Sequence, residues 1–110
     1  MRLRAGQQGE LIEVMEARGV LGRMLGLLGR EGLPPGRGLL LRGRQVHTIG
    51  MTFAIDAIYL SKVGEVLAVR TLSPGAVGPF LLGARYVLEL GAGEAERIGI
   101  GPGMRLESGG

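Results

Sequence analysis

Twenty-two of the 110 residues are glycine, and they cut the chain into short apolar runs. Runs of that length between turn formers predict many short strands joined by tight turns. ELIEVMEA, residues 10–17, alternates Leu11, Glu13 and Met15 against Ile12, Val14 and Glu16, and predicts a strand. Residues 19–28 instead place Val20, Leu21, Met24, Leu25, Leu27 and Leu28 at helical spacing, which predicts a short helix. Gly22 and Gly26 would each cost that helix about 1 kcal/mol against alanine, so it needs tertiary packing to persist.

LPPGRG (33–38) is a loop, because two prolines and two glycines preclude a regular element. GLLLR then opens a buried strand. FAIDAIYL (53–60) is so nearly continuous in apolar residues that both its faces should be covered. SKVGE is a hairpin turn into the strand VLAVRTL (66–72), and SPGAVGP is a long loop. RYVLEL (85–90) alternates and reads as a half-exposed strand. GEAERIG reads as one helical turn stopped by GPG, and MRLE supplies a last short strand. The expectation is a mostly β chain with a minor α part. It forms one small β-sandwich or partly open β-barrel with one or two short helices, spanning residues 1–107 with a loose tail at 108–110. No repeat of 20–50 residues recurs.

Hydrophobic residues make up 45% and charged residues 21%, an ordinary globular balance. With no cysteine, disulfides, thiolate metal sites and cysteine nucleophiles are excluded. With one histidine as well, no zinc or transition-metal site and no cofactor is expected. Twelve of the 13 basic residues are arginine, a balance typical of thermophiles or GC-rich genomes. No signal peptide or spanning segment is evident, so a cytoplasmic protein without membrane association is expected. Residues 1–44 carry eight arginines and four glutamates, a local charge of +4, and the remainder carries −1. That asymmetry admits an anionic partner but falls short of the stripe of a committed nucleic-acid binder.

VHTIGMTFAIDAIYL (46–60) holds both the only histidine, His47, and the only aspartate, Asp56. Gly50 can bend this run by taking a positive φ. In a hairpin with a three-residue loop the two side chains face opposite sides, and with a four-residue loop they pair. A paired Asp56 would orient the imidazole and strengthen its hold on a proton. A buried Asp56 alone must be satisfied by backbone N–H groups or by an arginine such as Arg70 or Arg85. A nucleophile triad would have to use His47, Asp56 and Ser61, Ser73 or Ser108, none of which lies in a nucleophile elbow. A glycosidase would need Asp56 with Glu89. LPPGRG and GIGPG match neither glycine-rich nucleotide-binding pattern.

VHTIGM with FAID, together with ARGVLGR, LPPGRGLLL, GARYVLEL and GAGEAERIGI in this order, resembles the family called domain of unknown function 192 over most of the chain. The resemblance implies a small β-rich barrel or sandwich with short helices, and implies no reaction. Ala54 and Gly91 stand where proline is usual in that family, and no tryptophan is present.

The leading functional expectation is a non-catalytic module that binds a small molecule or protein. Its candidate contacts are His47, Thr48 and Met51, with Asp56 and Arg85 supporting them from behind. The alternative is a nucleic-acid-associated protein that uses Arg37, Arg42 and Arg44. A hydrolase is third, and a monomer or weak homodimer is expected.

Overall fold

IDAIYL is the centre of the molecule: all six residues of this strand are buried, as the unbroken apolar run requires. The computed structural model describes residues 1–6, 8–17 and 32–109. They form seven strands: β1 (Arg2–Ala5), β2 (Glu10–Ala17), β3 (Arg37–Arg42), β4 (Ile55–Leu60), β5 (Val66–Leu72), β6 (Tyr86–Gly91) and β7 (Glu107–Ser108). One helix, α1 (Glu94–Ile98), follows β6. The helix predicted over 19–28 lies outside the described residues.

The strands make one sheet in the order β5-β4-β6-β3-β2-β1-β7, antiparallel except for the parallel pair β2–β3. The sheet curls into a half-barrel, so the partly open barrel is the correct one of the two expected architectures. The C-terminal segment draws its two edges together. Glu65 bridges to Arg105, the Leu106 N–H donates to Gly64 O (2.8 Å), and the next two residues pair with β1. Ser108 pairs with Leu3 and the Gly109 N–H donates to Arg2 O (2.9 Å), so the tail expected to be loose is held as far as Gly109.

Period-2 alternation divides the buried residues into two layers. Ile58, Leu60, Leu88 and Leu90 line the concave interior with Leu3, Ile12 and Leu106. Ile55, Ala57, Tyr59 and Val87 face outward, under Val46, Met51, Phe53 and Leu81 from the two long loops. β6 is accordingly not half-exposed. It lies between β4 and β3, and even Glu89 is 0% exposed. Alternation of polar with apolar residues suggested a solvated face that the loop layer and the neighbouring strands cover.

α1 plugs one end of the half-barrel, contributing Ala95 and Ile98 to the interior core. Its cap residues Gly93 and Gly99 both have positive φ, 91° and 86°, which glycine adopts without strain.

Candidate functional site

Neither hairpin register considered for residues 46–56 forms. Residues 44–48 pair instead with the distant loop at 76–81. Thr48 N–H donates to Ala76 O (2.8 Å), Gly78 N–H to Val46 O (2.8 Å), and Leu81 N–H to Arg44 O (3.0 Å). His47 lies opposite Val77 in an isolated antiparallel bridge. Gly50 does take a positive φ of 85° and turns the chain after this ribbon.

His47 and Asp56 lie on different faces of the sheet. Asp56 shares the concave face with Thr71 and Leu90, its cross-strand neighbours, whereas the His47 ribbon covers the convex face. Asp56 is 2% exposed and accepts three hydrogen bonds: from the Thr71 hydroxyl (2.7 Å) and from the Gly93 and Ala95 N–H groups (both 3.0 Å). It thereby satisfies orphan donors at the start of α1, which lacks a capping side chain of its own. Of the two kinds of partner considered, backbone donors hold Asp56, joined by a threonine hydroxyl. Arg85 is exposed and is not among its partners. The turn that Asp56 supports is the one before α1, not the loop carrying His47.

Of the three candidate contacts, Thr48 is a tether. It is 0% exposed; its hydroxyl donates to Ser73 O (2.5 Å) and accepts from the Ala76 N–H (2.9 Å). Its carbonyl accepts from Met51 (3.1 Å) and Gly75 (2.9 Å). Met51 packs half-buried against the outer core. His47 is half-buried, and its Nδ1 accepts the Ile49 N–H (3.2 Å). Ile49, Val77, Phe80 and Leu82 expose apolar side chains on these two loops.

The catalytic arrangements raised by the residue inventory do not assemble. Glu89 lies opposite Ala57 of the convex layer, so it and Asp56 project from opposite faces. Ser61 Oγ accepts the Val63 and Glu65 N–H groups and shapes the β4–β5 turn, and Ser108 pairs with β1. Among the described residues no three His, Cys, Asp or Glu side chains converge to hold a metal ion.

A concavity of about 500 Å³ opens at the end of the half-barrel where β4 finishes and β6 begins. Leu3, Leu40, Leu60, Tyr86 and Leu106 supply its apolar wall, and Glu16, Lys62 and Arg105 its charged groups. Asp56 and α1 lie toward the other end of β4, about 13 Å away at strand rise. One end of the barrel is thus plugged and the other is a mouth. The Arg42 guanidinium lies 5.9 Å from the centre of the Tyr86 ring, its cross-strand neighbour, within cation–π range. Arg105 Nε donates to Val63 O (3.0 Å), while Lys62 makes no ion pair among the described residues. A second concavity, of about 320 Å³, lies beside β2 and β3 and is lined by Met15, Leu33, Pro34 and Arg37 among others.

The arginines of the nucleic-acid alternative do not form one patch. Arg37 and Arg42 stand at opposite ends of β3, about 17 Å apart at strand rise. Arg44 lies just beyond Arg42 and donates to Leu82 O (3.0 Å). Lys62, Tyr86 and Arg105, which line the larger concavity, are not among the candidate residues singled out from the sequence. Lys62 is the lone lysine, in a turn closing the most buried run, which is a usable signal. That Arg105 lies beside that turn depends on a bridge across 40 residues, which no local pattern reports.

A curled β half-barrel plugged at one end defines the class of fold, and the comparisons with known proteins agree. The chain belongs to the DUF192 family, described as an uncharacterized ACR, whose model matches residues 1–108. No curated protein matches the chain significantly. Among solved structures, it is similar to a protein from Sinorhizobium meliloti 1021 provisionally described as a transcription regulator. The two share 27% identity over 96% of this chain and 91% of that one, with a TM-score of 0.76. It also shares the fold of a protein of unknown function from Novosphingobium aromaticivorans DSM 12444. Identity there is 20% over 98% of this chain and 84% of the other, with a TM-score of 0.80. No helix among the described residues is long and apolar enough to cross a membrane.

Proposed function

We propose that this protein is a non-catalytic small-ligand-binding module and that its site is the open mouth of the half-barrel, not the surface around His47. The concavity of about 500 Å³ walled by leucines and Tyr86 carries this reading. Its volume is in the range of small-molecule pockets, and its few polar groups stand at the rim of an apolar wall. Barrel mouths are a recurrent place for such sites, because closing the sheet leaves apolar side chains that no further layer covers.

A thermal-shift screen of small molecules tests the reading. A ligand at about 100 times its Kd adds about 2.7 kcal/mol to the native state. Leu40→Trp fills the mouth from a half-buried wall position, so hits on the wild type should lose their shift in this variant. Hits that stabilise both proteins equally would place the site elsewhere.

Binding of nucleic acid is the second reading. Arg42 and Arg44 at the same end of the sheet, and the provisional description of the Sinorhizobium meliloti protein, favour it. Phosphate contacts release counterions, so affinity for single-stranded RNA should fall steeply with salt. Affinity that stays flat between 50 and about 200 mM salt contradicts this reading.

A further inference from the structure

We propose that the mouth selects an anionic amphiphile, a molecule with a carboxylate or phosphate head and an apolar body. This inference rests on the mouth being the site. Two of the three charged side chains lining the concavity, Lys62 and Arg105, are cationic, and Glu16 is the one acid. One further cation flanks it: Arg42 ends β3 over the Tyr86 ring. All three cations are exposed. Against them stand Glu16 and Glu65, which meets Arg105 through a backbone β-bridge and not through an ion pair.

The charged groups sit at the rim and the leucines form the wall, so head and body are recognised by different parts of one concavity. Lys62 has no carboxylate partner among the described residues and meets an anion without breaking an ion pair. Arg105 already has Nε on Val63 O, which fixes the guanidinium and leaves its terminal nitrogens as donors. Charge-assisted hydrogen bonds to a carboxylate or phosphate are roughly twice as strong as neutral ones. Among the lining side chains a cationic head would meet one acid, Glu16, against the repulsion of Lys62 and Arg105. The apolar wall favours a head group that carries a body over one without it, because the larger part of the lining gains from burying apolar surface.

Calorimetric titration with octanoate, octyl phosphate, 1-octanol, octylammonium and inorganic phosphate reads head and body separately. Octanoate and octyl phosphate should bind at least about tenfold more tightly than octanol, a difference of about 1.4 kcal/mol. Octylammonium and inorganic phosphate should bind weakest. In the double variant Lys62→Glu, Arg105→Glu, both sites being exposed, octylammonium should overtake octanoate while the thermal midpoint stays near wild type. Lys62→Met provides a neutral step that should lower octanoate affinity by itself. Octanol binding as tightly as octanoate would overturn the charge selection and leave the mouth as a binding site. Inorganic phosphate matching octyl phosphate would overturn the amphiphile. Binding by none of the five would overturn both this inference and the reading beneath it. Phosphatidylglycerol vesicles distinguish the source: their association with the protein assigns a lipid headgroup, and octanoate binding without it assigns a free amphiphile. Either result supports the anionic class.

Discussion

Asp56 and Thr48 are the two most heavily bonded polar side chains of the 46–60 run, and each holds a segment remote in sequence. Asp56 fixes the start of α1 through Gly93 and Ala95 and takes a third bond from Thr71. Asp56→Ala leaves those donors buried without an acceptor and should lower stability by more than about 2 kcal/mol, measured by urea unfolding. Asp56→Asn should be distinctly milder. Its amide oxygen still accepts from the two N–H groups, and its amide nitrogen can donate to a rotated Thr71 hydroxyl. Equal losses in the two variants would contradict the bonding described. Thr48→Val keeps the shape but strips the Ser73 carbonyl and the Ala76 N–H of their partner. A loss of about 1–3 kcal/mol is expected, with ligand affinity at the mouth unchanged. Weakened binding with intact stability would return the site to the His47 loop. That Asp56 would be buried and tethered was legible from its flanks, Ile55, Ala57 and Ile58; which donors would hold it was not, because Gly93 lies 37 residues away.

At the scale of elements, α1 is too short to persist alone, and interactions from outside it fix its position. Arg97 links Glu94 (2.5 Å) to Glu10 (2.8 Å), and Glu94 also accepts the Gly36 N–H (2.9 Å). The hydrogen bond from Arg97 holds the Glu94 carboxyl below the ordinary carboxylate range, outweighing the burial that pushes it up. Its contribution to stability is therefore complete above the unfolded-state value, about 4.3, and is lost as pH falls through the lower native value. Urea midpoints between pH 6 and 2 should fall more steeply in the wild type than in Glu94→Gln. Parallel curves would remove Glu94 from the account. Elements made by local pattern were legible: β2, β4, β5 and the single turn of α1 fall where alternation, apolar runs and glycines put them. β1 was not seen, because RLRA is too short to show a period, and Leu3 and Ala5 point inward only once β2 is beside them. VHTI looked like a hairpin arm because Gly50 follows it. Its partner is the 76–78 loop, and the choice between a near and a distant partner is made by the convex layer that Val46 and Ala76 complete.

For the whole molecule, the sequence restricted the fold to a sandwich or an open barrel, and closure through the C-terminal segment decides between them. That same closure brings Arg105 beside the β4–β5 turn and shapes the mouth, which is why the proposed site could not be read from any one stretch. In the proposed function, binding falls at the end of the barrel opposite α1, and the His47 ribbon covers the outer core. The most direct measurement is the map of amide chemical-shift changes when octanoate is titrated into the isotopically labelled protein. Changes should concentrate at Leu40, Leu60, Lys62, Tyr86, Arg105 and Leu106, with His47, Ile49 and Val77 unmoved. Changes centred on His47, Ile49 and Val77, with the mouth silent, would contradict it.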